Sequence, residues 1–199
     1  MRVIKSHNTM TYLCIKVPSE ASKLLSDLEV PGSKTDSSDL HITLMYISKE
    51  STIEEVSKIF ETSYEVLHNL KPFKINTSKV TFFDNGGVEK GYPVICKIES
   101  KELVDLNTKL KKAFDKTDIE YMNNFKDYKP HITLSYSKDK PEEYSFDEVS
   151  FTVTEIELAG GSQEEDTVFV TFPLKKLEKK SNLLLKSELF EKLAYNSVR

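Results

Sequence analysis

The chain has 199 residues and a net charge of −4, from 28 lysines and arginines against 32 aspartates and glutamates. That length accommodates one domain, or two small lobes sharing a core. The near-balance of charge excludes a protein that coats long nucleic acid through a wide basic face, but leaves room for a small anionic ligand in a local pocket.

In chain order, TYLCIKV (Thr11 to Val17) is β-branched and aromatic enough to predict a strand. SEASKLLSDL predicts a short helix. HITLMYI, from His41, predicts a strand with His41, Thr43 and Met45 on one face and Ile42, Leu44 and Tyr46 on the other. Ser51 with Glu54 reads as a capping box, followed by a helical apolar stripe of Ile53, Val56, Phe60, Tyr64 and Leu67. FKINTSKVTFF predicts one long strand, Asn85-Gly86-Gly87 a turn that Gly91 closes, GYPVICKIE a strand, and KELVDLNTKLKKAF a helix. HITLSY, from His131, predicts another strand. VSFTVTEIEL and DTVFVTFPL predict two more, joined by a turn at Gly160-Gly161-Ser162.

Cys14 and Cys96 sit inside apolar β-like runs, with neither a disulfide framework nor a C-x-x-C metal spacing. No apolar signal core opens the chain and no run reaches transmembrane length, so the expectation is a cytoplasmic protein with no membrane partner. After Pro173 the chain turns Lys-rich, with Leu185, Leu189 and Leu193 at four-residue spacing. Residues 175–199 therefore predict an amphipathic tail helix that packs on its own domain, self-associates or docks on a partner.

HITL occurs twice, at His41 and His131, and a Tyr follows at the same offset each time. The repeat extends upstream. YLCIKVPSEASKLLSDL from Tyr12 and YPVICKIESKELVDLNTKL from Tyr92 are both a strand feeding a helix. The expectation is an α+β fold of two pseudo-symmetric β-α-β halves, about 10–70 and 71–174, with antiparallel sheets around a central cleft.

A lone strand histidine is more often structural than catalytic, and His7 and His68 stay under that reading. His41 and His131 differ, because each is followed two residues on by a Thr on the same face. A pseudo-twofold axis would bring two imidazoles and two hydroxyls to one cleft. That set suits phosphodiester cleavage: one imidazole accepts a proton while the other donates one, and the hydroxyls contact non-bridging oxygens. Two histidines without an acidic or cysteine cluster make a poor zinc site, so neither metal nor cofactor is expected.

These motifs resemble the two-histidine (2H) phosphoesterase superfamily, which is defined by two H-x-[ST]-apolar motifs in a bilobal, duplicated α+β fold. HITL at His41 and at His131 both match, and Pro130 before the second is similar to the common form. The resemblance covers about residues 10–174. It implies His41 and His131 as an acid/base pair and Thr43 and Thr133 as phosphate contacts. Its members act on RNA ends, 2′,3′-cyclic phosphates and 2′-5′ oligoadenylates, and a bacteriophage branch degrades the cyclic oligonucleotide messengers of anti-phage (CBASS) defence. The compact, acidic, Lys- and Asn-rich, Trp-free chain is similar to that branch, which would place it in a host cytoplasm. An RNA-end 2′,3′-cyclic phosphodiesterase, or a non-catalytic interaction protein working through its tail, are the alternatives. Base contacts are expected from Tyr12 and Tyr92, which open the two halves, and from Glu155 or Glu157 on a late strand. Phe82 or Phe83 is within reach of the mouth but is expected in the core, as are Tyr46 and Tyr136.

Overall fold

The computed structural model describes residues 10–48, 52–84, 91–122, 127–162, 165–174 and 187. The elements are β1 (Met10–Lys16), α1 (Ser19–Ser26), β2 (Ser33–Lys34), β3 (His41–Ser48), α2 (Ile53–Leu67), β4 (Phe73–Phe82), β5 (Tyr92–Lys97), α3 (Lys101–Phe114), β6 (His131–Ser137), β7 (Tyr144–Val153), β8 (Glu155–Ser162) and β9 (Glu165–Pro173). Strands form two antiparallel sheets, β3-β1-β8-β9 and β2-β6-β5-β4-β7, so the fold is the expected α+β with one motif strand in each sheet.

Three local expectations are corrected. The capping box of α2 is Thr52 with Glu55, one residue later than Ser51 with Glu54: Thr52 Oγ1 accepts from Glu55 N–H, and Glu55 Oε2 accepts from Thr52 N–H. VSFTVTEIEL is not one strand. It breaks at Thr154 into the end of β7, in the second sheet, and the start of β8, in the first. Gly160-Gly161-Ser162 is therefore not a turn but the end of β8, paired with β1 and β9. The turn at 85–87 and the tail helix, apart from Ser187, lie outside the described residues.

The chain trades elements between its halves. Having built most of the second sheet, it returns at β8 and β9 to complete the first. The connections ahead of the two motif strands also cross over. β2 pairs with β6, and Thr35 N–H donates to Leu134 O at 2.8 Å. In the other direction Met122 N–H donates to Tyr46 O at 3.0 Å, and Tyr128 Oη donates to Thr43 O at 2.9 Å. The free edge of each motif strand is thus covered by the segment that precedes the other one, which removes an exposed strand edge from each lobe.

Packing follows the apolar periods. Val56, Ile59, Phe60 and Leu67 of α2 are buried, and Phe60 stacks on Phe172 of β9 at 5.5 Å. In α3 the buried stripe is Leu103, Leu106, Asn107, Leu110 and Phe114, behind a Ser100 cap that accepts from Leu103 N–H. These helices, with Leu13, Ile15, Ile42 and Leu44 of the first sheet and Val94, Cys96, Ile132 and Leu134 of the second, make one continuous core. Tyr12, Cys14 and Ala159 form a separate small cluster on the opposite face of the first sheet.

Candidate functional site

Cross-strand partners in an antiparallel sheet share a face, so the register places the site. In the first sheet His41 lies opposite Lys16, Thr43 opposite Cys14, and Tyr46 opposite Tyr12. In the second, His131 lies opposite Lys97, Thr133 opposite Ile95, and Tyr136 opposite Pro93. Each motif strand therefore presents a His, Thr, Tyr row on the face away from the main core.

That third member corrects the expectation for Tyr46 and Tyr136. Both strands carry a bulge at the same place. Leu13 pairs with Met45 but Cys14 with Thr43, leaving Leu44 without a partner; likewise Val94 pairs with Ser135 but Ile95 with Thr133, leaving Leu134 over. One extra residue reverses the alternation downstream. Leu44 and Met45 are both buried, as are Leu134 and Ser135, and each Tyr returns to the His face with 39% of its surface exposed. The carbonyls at the bulges are satisfied from outside the strands: Leu44 O by buried Asn107 Nδ2 at 2.7 Å, and Leu134 O by Thr35 N–H.

The imidazoles are held identically. His41 Nδ1 lies 2.7 Å from Asp39 O, and His131 Nδ1 lies 2.7 Å from Lys129 O. A carbonyl only accepts, so Nδ1 carries the hydrogen in both rings and Nε2 is left for a ligand. Aromatic support differs between the halves. Tyr12 lies 5.9 Å from the His41 ring and 5.9 Å from Tyr46, while the rings of Phe83 and His131 stand perpendicular with centroids 4.7 Å apart. Burial holds His131 below the ordinary histidine value, opposed by its bond to Lys129 O and assisted by the charge of His41, which places the two rings within electrostatic reach.

Of the expected substrate contacts, Tyr12 and Glu157 lie on this face, Glu157 opposite Cys14 in the row of Thr43. Glu155 is exposed and one step further along β8, opposite Pro173. Tyr92 does not reach the cleft. It shares its face with Val94 and Cys96 of the core, and its ring meets Phe82 edge-on at 6.0 Å. The two halves superpose one residue away from the alignment of their tyrosines, so Pro93 is the counterpart of Tyr12. Phe83, within reach of the mouth by sequence but expected in the core, packs against His131; Lys16, Lys97, Asn107 and Tyr128 were not singled out as site residues by sequence. His68 bonds to Tyr64 O and stacks on Tyr64 within α2, and His7 lies outside the described residues. Among the described residues no group of three or more His, Cys, Asp or Glu side chains is arranged to hold a metal ion.

The family model of the 2′-5′ RNA ligase superfamily matches residues 18–164, a span that contains both HITL motifs. The chain belongs to that superfamily, the 2H phosphoesterases. Solved structures agree on the fold. A protein of Thermus thermophilus shares 18% identity at a TM-score of 0.69, covering 85% of this chain and 100% of its own. E. coli LigT complexed with 3′-AMP shares 16% at 0.64, covering 85% and 96%. The MHV ns2 PDE domain shares 9% at 0.52, covering 77% and 99%. No curated protein sequence matches the chain. Superfamily membership supports a phosphodiesterase as the class of activity. No helix among the described residues is long and apolar enough to cross a membrane.

Proposed function

We propose that the protein is a metal-independent phosphodiesterase acting on small cyclic or oligomeric nucleotides, with His41 and His131 as its acid/base pair and Thr43 and Thr133 as phosphate contacts. The observation that carries this reading is the matched anchoring of both imidazoles through Nδ1, which leaves two Nε2 atoms for one ligand. His131, disposed by its burial to be neutral near pH 7, takes the proton of the attacking hydroxyl or water. His41 delivers a proton to the leaving oxygen, so one P–O bond forms as another breaks and the pair ends with its protons exchanged. Thr43 and Thr133 hydroxyls donate to the non-bridging oxygens, where charge is held in the transition state.

A 3′-5′ cyclic oligonucleotide messenger, cleaved as counter-defence by a bacteriophage, is the proposed substrate. The compact, acidic chain and the absence of a wide basic face favour it. RNA ending in a 2′,3′-cyclic phosphate is the second reading, favoured by the superfamily and by the 3′-AMP complex of E. coli LigT. Residues 1–174 are proposed as the catalytic unit, and 175–199 as an appended segment for self-association or docking. The test is a panel of 3′-5′ cyclic di- and trinucleotides, 2′-5′-linked forms and 2′,3′-cyclic-ended RNA, with and without EDTA. Cleavage that survives EDTA and is lost by orders of magnitude in His41→Ala and His131→Ala is expected. Inhibition by EDTA that zinc or manganese reverses would overturn the mechanism.

A further inference from the structure

The mechanism above leaves two large aromatic side chains unexplained. Tyr46 and Tyr136 are two of the five exposed large apolar residues among the described ones, and they occupy equivalent positions in both halves. Their exposure follows from the bulges. Without the extra residue at Leu44 and Leu134, regular alternation would turn both phenols toward the core.

Each bulge is also held in place. Asn107 and Tyr128 secure Leu44 O and Thr43 O in one half. In the other, Thr35 secures Leu134 O, and two glycines with positive φ, Gly32 (+89°) and Gly91 (+83°), let backbone pass close against the carbonyls of Tyr136 and Ser137. Different residues thus maintain the same strand geometry twice. In the first half the phenol stands beside the proposed phosphate contact. Tyr46 Oη lies 3.5 Å from Thr43 Oγ1, at the outer limit of a hydrogen bond, so both hydroxyls keep capacity for a third group. The two phenols also sense each other across the cleft, since burial and then the charge of Tyr46 raise the Tyr136 hydroxyl above its ordinary value. Tyr136 therefore stays protonated at neutral pH and acts as a donor.

Resting on the phosphodiesterase reading, we propose that Tyr46 and Tyr136 are paired grips on either side of the scissile phosphate, and that the site is built for a phosphodiester linking two nucleosides. One His, Thr, Tyr row serves each side, with the hydroxyls reaching phosphate or ribose oxygens and the rings available to bases. Ring surface is present on both sides: Tyr12 beside Tyr46 in the first sheet, and Phe83 against His131 in the second. A terminal 2′,3′-cyclic phosphate carries one nucleoside and would leave one of these stations empty.

The experiment compares wild type, Tyr46→Phe, Tyr136→Phe and the two Ala variants on a 3′-5′ cyclic dinucleotide and on a nucleoside 2′,3′-cyclic phosphate. A phosphorothioate-linked dinucleotide reports binding without turnover. Each Phe variant removes one donor, and a loss of about tenfold in kcat/KM on the dinucleotide is expected. Each Ala variant also removes a stacking face, and phosphorothioate binding weakens by roughly five- to a hundredfold. On the mononucleotide at most one of the two tyrosines matters. Equal effects of both tyrosines on both substrates, or no effect of either on dinucleotide binding, would overturn the proposal. If wild type binds the dinucleotide through both tyrosines but cleaves neither substrate, the grip stands and the phosphodiesterase reading fails.

Discussion

Asn107 tests whether the bulge in β3 is held by α3. Its side chain is 5% exposed and sits in the apolar stripe of the helix, yet it donates from Nδ2 to Leu44 O at 2.7 Å. Leucine has the same branched outline of four side-chain heavy atoms and is somewhat bulkier, so Asn107→Leu opens no cavity. It leaves a buried carbonyl without its donor, at about 1–3 kcal/mol, part of it offset by added apolar burial. At about 2–4 °C per kcal/mol for a chain of this length, the melting temperature should fall by roughly 2–10 °C. Activity should fall as well, because Leu44 lies between Thr43 and the turn of the strand that faces Tyr46 into the cleft. A displacement of about 1 Å is enough for a hundredfold loss, so a drop in kcat/KM of at least tenfold is expected in a protein that is still folded. The assay pairs thermal unfolding with kcat/KM at a temperature well below the transition. An Asn107→Leu protein with unchanged melting temperature and unchanged kcat/KM would refute the reasoning, since neither the bond nor the bulge would then be needed.

Thr43→Val and Thr133→Val keep shape and delete a donor; each should lower kcat/KM by roughly ten- to a thousandfold with the fold intact, and an unchanged value in either would remove that Thr from the site. The acidic limb of log(kcat/KM) should lie below the ordinary histidine value of 6.5, because His131 is held low and must lose its proton to act as base; a limb above that value would reverse the assignment. The same shift has a sign in stability: below 6.5 the unfolded chain binds the proton more readily than the native one, so this contribution decreases as pH falls, and His131→Gln should flatten that part of the denaturation profile. Gly32→Ala forces a Cβ against the Tyr136 carbonyl at a positive φ, and a loss of at least about 1 kcal/mol is expected from urea denaturation.

The elements and the pairing of the motifs were legible in the sequence because burial imposes its period on every segment. Ile42, Leu44, Ile132 and Leu134 alternate with polar neighbours, and α2 and α3 carry continuous apolar stripes. What was not legible depended on partners distant in the chain. Nothing local in HITLMY marks a bulge, because the side chain that satisfies its carbonyl, Asn107, lies far along the chain on α3. The fifth shared letter of the repeat, Tyr, was the available signal: a residue kept at one offset in both copies answers to a shared environment, and here that environment is the cleft. Tyr92 misled for the opposite reason. Matching letters aligned it with Tyr12, whereas strand pairing aligns Pro93 with Tyr12, and one residue of slip changes the face. VSFTVTEIEL has no Gly or Pro at Thr154, so the crossing between sheets left no mark on its composition.

Duplication explains why two imidazoles are positioned alike, but proton transfer needs them to act differently. The difference arises in what the halves do not share. The Phe83 ring stands perpendicular to that of His131 at a centroid distance of 4.7 Å, and burial disfavours the charged form of His131. The His41 ring instead has a tyrosine from another strand position beside it, Tyr12 at 5.9 Å, next to a second tyrosine and one row from Glu157. Exchanging these surroundings is therefore the sharper test of role than removing either histidine, since both are needed. Phe83→Tyr brings a polar hydroxyl toward the dry side of His131 without altering its Nδ1 anchor. It should move the acidic limb of kcat/KM toward the ordinary histidine value while leaving the basic limb in place. A displacement of the basic limb alone would mean that His131 is the acid, and that the asymmetry of the halves runs the other way.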